Sequence, residues 1–290
     1  MLDGVLVALI TPFTQDDVID ENGVKSNIEF LVKGGVSGIV PSGTTGESAT
    51  LTFQEHKDLI ELTVDCSSVP VVAGTGSNST AEALDLTKFA ADAGADAALL
   101  ITPYYNKPND EGLLKHFTAI ADNAEIPQIL YNVPTRTCIN MKPEVTARLA
   151  QHPNIIGIKE ASGDLDQISE TIKLTRDEDF VVYSGDDAMT LPIMELGGVG
   201  VISVTANIVP DKMVGMVAAF KDGDMVTAKK LEAELAPLID ALFLETNPIP
   251  VKKAAELIGL AAGHLRLPLA PISPENEARL RAELKAIGAL

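Results

Sequence analysis

The stretch Asn154-Ile155-Ile156-Gly157-Ile158-Lys159-Glu160-Ala161-Ser162 says more about the fold than any other part of the chain. Its first half is continuously apolar, without polar alternation. That pattern suits a strand covered on both faces, hence a parallel sheet. Seven further runs read the same way: Val5–Thr11, Gly38–Ser42, Val69–Gly74, Ala97–Pro103, Gln128–Val133, Phe180–Gly185 and Val199–Val204. With Ile155–Glu160 they make eight, at a spacing of roughly 30 residues that suits β/α repeats. Amphipathic helical patterns fill the gaps, as in Phe53–Val64, Thr80–Ala93, Glu111–Asn123 and Leu165–Thr175. The expected fold is therefore α/β, a closed (β/α)8 TIM barrel rather than an open doubly wound sheet. The barrel is expected over residues 1–225. After that no strand pattern returns, and residues 226–245, 249–259 and 274–287 read as helices. Residues 226–290 are thus expected to form a C-terminal helical appendix, with Pro268, Pro271 and Pro274 marking the loop before its last helix.

Composition supports a packed α/β interior. Of 290 residues, 46% are hydrophobic but only 4% aromatic, and there is no Trp, so small aliphatics must fill the core. Acidic residues outnumber basic ones 41 to 22, a formal net charge of −19, and no basic cluster of five or more residues occurs. Such a chain repels nucleic acid and anionic lipid, so neither is an expected partner. The longest apolar runs are too short to span a membrane. The N-terminus lacks a basic n-region, and Cys66 and Cys138 read as free thiols in a reducing compartment, so a cytoplasmic location is expected. The four histidines are dispersed without metal-ligand spacing, and neither a metal nor an organic cofactor is expected.

In α/β barrels the chemistry gathers where the strands end. The ends here are polar: Pro41-Ser42-Gly43-Thr44-Thr45-Gly46-Glu47-Ser48, Thr102-Pro103-Tyr104-Tyr105-Asn106, Tyr131-Asn132-Val133-Pro134-Thr135-Arg136-Thr137, Lys159-Glu160 and Ser184-Gly185-Asp186-Asp187. Alternation puts Ile155, Gly157 and Lys159 on one side of their strand, with Gly157 leaving space beneath the amine. A buried ammonium is costly, and loss of its proton is the usual relief. A desolvated lysine makes a Schiff-base nucleophile; the alternative is a structural lysine paired with Glu160 or Asp186. Tyr131 ends the neighbouring strand, close enough to exchange protons with an adduct on that amine, although a core tyrosine would look the same. Thr44 and Thr45, between Gly43 and Gly46, fit a tight turn presenting hydroxyls and backbone N–H groups to a small carboxylate, or an ordinary βα turn. Arg136 has a planar fork suited to a carboxylate, unless it is a plain surface residue.

Taken together and in this order, Gly43-Thr44-Thr45-Gly46-Glu47, Thr102-Pro103-Tyr104-Tyr105-Asn106, Tyr131-Asn132-Val133-Pro134-x-Arg136-Thr137 and Gly157-Ile158-Lys159-Glu160 resemble the pyruvate-dependent Schiff-base aldolase and lyase superfamily, and within it the dihydrodipicolinate synthases. The likeness continues through Gly200-Val201-Ile202-Ser203-Val204-Thr205-Ala206-Asn207 and Asn247-Pro248-Ile249-Pro250-Val251-Lys252. The resemblance implies condensation of pyruvate with L-aspartate-4-semialdehyde, on the route to diaminopimelate and lysine. Lys159 would form the imine, Tyr131 would relay protons, and Thr45 and Tyr105 would complete the relay, with Tyr105 entering a neighbouring subunit of a homotetramer built as a dimer of dimers. Thr44, Thr45 and the backbone near Gly185 and Ile202 would surround the pyruvate part, and Arg136 would bind the second substrate's carboxylate. A feedback site for L-lysine would match Ser48, Ala49, His56, Asn78, Glu82 and Tyr104, weakened by Phe53 where the family often has a polar residue. Cys138 stands where the family often has Gly. Sibling aldolases acting on N-acetylneuraminate or on 2-keto-3-deoxy-sugar acids share Lys159 and Tyr131 but typically lack the arginine and the Tyr-Tyr-Asn run. A barrel that binds a keto acid without turnover is the other alternative.

Overall fold

Each of the eight apolar runs is a strand in the computed structural model, which describes residues 2–290. In chain order the elements begin β1 (Gly4–Ala8), α1 (Glu21–Lys33), β2 (Gly38–Val40), α2 (Phe53–Cys66), β3 (Val72–Gly74), α3 (Thr80–Asp92), β4 (Ala97–Ile101) and α4 (Asp110–Ala121). They continue with β5 (Gln128–Asn132), α5 (Pro134–Thr137), α6 (Pro143–Ala150), β6 (Ile155–Glu160), α7 (Leu165–Thr175), β7 (Val181–Ser184), α8 (Thr190–Glu195) and β8 (Gly200–Ser203). Helices α9 (Pro210–Lys221), α10 (Met225–Leu242), α11 (Ile249–Leu257) and α12 (Pro274–Ala286) follow. The strands form one sheet in the order β2-β1-β8-β7-β6-β5-β4-β3, with parallel pairing between neighbours such as β4, β5, β6 and β7. This is the (β/α)8 barrel expected from the sequence, with further helices at its C-terminus.

By packing, the chain divides into two compact units, one formed by Met1–Pro70 with Ser203–Leu290 and the other by Val71–Ile202. In the first unit, α9 packs on β1 and on α10, and α12 packs on α10 and α11. The helices beyond residue 225 therefore share a unit with the first two β/α repeats. In the second unit, Leu100, Leu130, Ile158 and Val182 from successive strands meet Leu113, Phe117, Leu149, Ile168 and Ile193 from the helices in one buried cluster. Burial of such side chains stabilises by about 1.5–3 kcal/mol each, which makes this cluster the main support of the strands it backs.

Every strand but β6 stops short of its apolar run, and β1 and β3 lose the most, three residues at one end. β1 stops at Ala8 because the Asn207 side chain takes over the backbone beyond it, accepting from Ile10 N at 3.2 Å and donating to Ala8 O at 2.8 Å. β3 starts at Val72 rather than Val69. Pro70 has no N–H to give to a ladder, and Val71 N goes to the Asp96 carboxylate at 2.8 Å. The Pro70 carbonyl still accepts from Ile39 N of β2 at 2.9 Å.

Gly157 has a different use from the one expected. It pairs with Val181 of β7, and a Cβ there would stand 2.7 Å from the Val181 carbonyl oxygen. Its missing side chain lets β6 and β7 close up, rather than making room beneath Lys159. Gly157→Ala should therefore push these strands apart and destabilise the protein by about 1–3 kcal/mol, the usual cost of overpacking. Urea unfolding measures this, and an unchanged midpoint would mean the strands give way freely.

Candidate active site

The C-terminal ends of β5, β6 and β7 set three side chains in one row. In a parallel sheet, residues in register point to the same face, and here Tyr131, Lys159 and Tyr183 are register partners. Lys159 is only 5% exposed, and its Nζ lies 4.4 Å from the centroid of the Tyr131 ring. Burial pulls the amine down from its usual value of 10.5 to about 8; the Asp187 charge opposes this and the Arg136 charge assists it. At pH 7 an amine with that value is about a tenth unprotonated, against about one part in three thousand for an ordinary lysine.

The carboxylates proposed as structural partners for Lys159 do other things. Glu160 points to the opposite side of β6, where it accepts from Asn132 Nδ2 at 3.0 Å and from Ser162 N at 2.9 Å. Asp186 caps the short turn Asp187–Met189 by accepting from Ala188 N. Space for the lysine stem comes from Gly185. A Cβ there would lie 3.1 Å from Lys159 Cγ and 2.8 Å from Ala161 Cβ. Gly185 thus lines the amine's approach, and its own N–H goes to Glu160 O at 2.7 Å.

Arg136 sits on α5, immediately after Tyr131 and its strand. Its side chain is exposed, yet its charge is felt at Lys159. Cys138, the C-cap of α5, takes the left-handed conformation at φ +60°, where glycine would be unstrained, and its thiol is exposed and free. The structure therefore gathers Lys159, Tyr131, Arg136 and Gly185 in one unit, and adds Asp187, which the sequence had offered only as part of a polar strand end. Ile202 lies buried in β8.

The threonine turn belongs to the other unit. Gly46 N and Ser48 N donate to Gly43 O, and Glu47 N donates to Thr44 O. These three N–H groups are consumed within the turn instead of being presented to a ligand. Thr45 is buried, and its Oγ1 accepts from Asn247 Nδ2 at 3.0 Å. Five residues further on, Lys252 donates to the Glu47 carboxylate at 2.6 Å, with both side chains essentially inaccessible. The second Glu47 oxygen accepts from Arg266 N at 3.0 Å. The stretch from Asn247 into α11 therefore grips the turn twice. Sequence reasoning missed this grip because its partners are separated by about two hundred residues.

Of the residues matched to a lysine site, Asn78 and Tyr104 meet on neighbouring loops and Glu82 lies in the first turn of α3. Asn78 Nδ2 donates to Tyr104 O at 3.2 Å, and Ser77 Oγ donates to Glu82 at 2.7 Å. Ser48 and Ala49 form a short 3-10 turn, and His56 is buried in α2 of the first unit. Phe53 is exposed at the start of α2. Tyr105 is 89% exposed with φ +69°, on the turn beside Tyr104. Among the described residues no helix is long and apolar enough to cross a membrane.

Eight β/α repeats carrying a desolvated strand-end amine against a phenol place the chain in the class of Schiff-base barrels. The model of the Dihydrodipicolinate synthetase family matches residues 1–287. A 4-hydroxy-tetrahydrodipicolinate synthase of Methanosarcina mazei is 63% identical over the whole of both chains. The dihydrodipicolinate synthase of Acinetobacter baumannii complexed with pyruvate superposes with a TM-score of 0.97 at 44% identity, covering all of both chains. The enzyme of Cyanidioschyzon merolae with lysine bound superposes equally well at 42% identity, over all of this chain and 99% of that one. The chain belongs to the Dihydrodipicolinate synthetase family.

The lowered basicity of Lys159 can be read directly. After reductive methylation with isotopically labelled formaldehyde, the dimethylamino signal of Lys159 should titrate at about pH 8, well separated from the bulk lysines near 10.5. A signal that titrates with the bulk would contradict its desolvation.

Proposed function

We propose that the chain condenses pyruvate with L-aspartate-4-semialdehyde through a Schiff base on Lys159, giving 4-hydroxytetrahydrodipicolinate. The observation that carries this reading is Lys159 itself, a buried amine brought down to about 8 and set against the Tyr131 ring, in a chain of this family.

The chemistry follows from those groups. Neutral Lys159 attacks the ketone carbon of pyruvate, and the carbinolamine loses water to leave an iminium. Tyr131, beside the amine, would give and take the protons of these steps, and the family resemblance gives Thr45 and Tyr105 the part of extending the relay. The iminium draws electrons from the neighbouring carbon, whose methyl group loses a proton to form the enamine. The enamine carbon attacks the aldehyde of the second substrate, forming the new C–C bond. The amino group of that substrate then attacks the imine carbon, closes the ring and releases Lys159. No step requires a metal or an organic cofactor.

Thr44, Thr45 and the backbone near Gly185 and Ile202 would hold the pyruvate part. Arg136 would take the carboxylate of the second substrate, a task that calls for a dedicated cation in a chain of net charge −19. L-Lysine is the effector proposed for Ser48, Ala49, His56, Asn78, Glu82 and Tyr104. The lysine-bound relative supports that choice, and the apolar Phe53 argues for weak inhibition.

Borohydride added with pyruvate should fix a covalent adduct on Lys159, located by peptide mass analysis; an adduct on another lysine defeats the mechanism. Arg136→Ala should leave that trapping intact but lower kcat/KM for aspartate semialdehyde. The expected loss is about 2 kcal/mol or more, roughly 30-fold. Sugar acids offered beside aspartate semialdehyde should give far slower turnover; a preference for them would favour the sibling aldolases.

Assembly is the second part of the proposal. Tyr105 is too exposed to serve a site within its own chain as it stands, and a second copy supplies it with a place, in a dimer of dimers. Light scattering should find an oligomer, and Tyr105→Phe should lower activity without changing its size. An active monomer would reject this.

A further inference from the structure

Arg136 is exposed, yet its loop is not loose. The chain leaves β5 at Asn132, turns through α5 and the left-handed Cys138, and returns at Asn140 and Met141. Asn132 holds both ends of that excursion. Its Oδ1 accepts from Met141 N at 3.1 Å, and its Nδ2 donates to Asn140 Oδ1 at 2.8 Å. The same Nδ2 donates to Glu160 Oε1 at 3.0 Å, one residue beyond Lys159. Asn140 and Gln167 of α7 exchange side-chain hydrogen bonds in both directions: Asn140 Nδ2 donates to Gln167 Oε1 at 2.8 Å, and Gln167 Nε2 donates to Asn140 Oδ1 at 3.0 Å. The bonds of Asn132 to Met141 and Glu160 are buried, where a hydrogen bond is stronger and a missing partner costs more, whereas the Asn140–Gln167 pair closes the network at the surface.

We propose that Asn132, Asn140, Glu160 and Gln167 form a tether that fixes the Arg136 loop against the strand carrying Lys159, so that Asn140 and Gln167 are positioning residues for the second substrate. The inference rests on the functional reading above and extends it to how that substrate is recognised. Bidentate recognition loses its value when the loop that carries the fork wanders. The tether references Arg136 to the same strand as the amine, so the aldehyde is presented at a set distance from the enamine. Pyruvate, which reacts before the second substrate binds, has no need of it.

The test uses the full chain with Gln167→Ala and Asn140→Ala, both at partly or fully exposed positions where folding is not at stake. Each should raise KM for aspartate semialdehyde several-fold while KM for pyruvate and borohydride trapping stay at wild-type levels. In an Arg136→Ala background the same substitutions should add almost nothing, because they act through that arginine. Trypsin supplies a readout independent of substrate: cleavage after Arg136 should be faster in both variants. Unchanged cleavage, equal effects on both substrates, or full additivity with Arg136→Ala each overturn the tether. A wild-type protein that traps pyruvate but ignores aspartate semialdehyde overturns the functional reading instead, and the cleavage rates still decide the tether.

Discussion

A lysine placed in a dry strand resists its own proton, and the second unit is organised around that conflict. Bringing Lys159 down from 10.5 to about 8 corresponds to about 3 kcal/mol of opposed free energy. The sign is definite. Because the folded value is below the unfolded one, the folded state binds fewer protons between pH 8 and 10.5. Stability therefore rises with pH across that window, and the full penalty is present below it. The apolar cluster behind β4 to β7 sustains this cost, and Gly157 and Gly185 let strand and stem come close enough for water to be excluded. Asp187 moderates the effect, while Arg136 adds to it.

A second buried lysine in the same chain shows that burial alone does not make a nucleophile. Lys252 is as inaccessible as Lys159, and desolvation acts on it in the same direction. Its Nζ, however, meets the Glu47 carboxylate and the His264 carbonyl oxygen. Losing the proton there would leave a buried carboxylate without its partner, a more costly outcome than keeping it. Both amines lie over an aromatic ring, Lys252 over Phe13 and Lys159 over Tyr131, but the negative charge felt at Lys159, that of Asp187, is outweighed by desolvation, so its proton leaves more readily. One lysine holds a turn in place and the other is prepared to react.

Strands were legible because parallel strands in this class are apolar along their length, and the eight runs need no long-range information. Ile155–Glu160 was read to the residue. The misplaced ends of β1 and β3 came from residues distant in sequence, Asn207 and Asp96, which no local pattern announces. The same limit applies to chemistry. Lys159 and Tyr131 were visible as polar endings of apolar runs, and their pairing followed from adjacent strands. Asn132 sat inside the same quoted motifs but read as a plain polar residue, and Glu160 read only as a possible partner for Lys159, because their meaning depends on Asn140 and Gln167. Gly157 was given the task that belongs to Gly185, since alternation reports facing but not what lies opposite on the next strand.

The absence of tryptophan leaves the chain with a simple optical property. With phenylalanine only a weak emitter, its ultraviolet emission is dominated by four tyrosines, and all four lie in the second unit. Tyr131 and Tyr183 flank Lys159 in register, and Tyr104 and Tyr105 share one exposed turn. Two chromophores thus sit against the reactive amine and two face outward, one pair shielded from an aqueous quencher and the other open to it. Quenching by iodide separates the two populations, so an unlabelled sample reports events at the amine and at the outer turn as distinct signals.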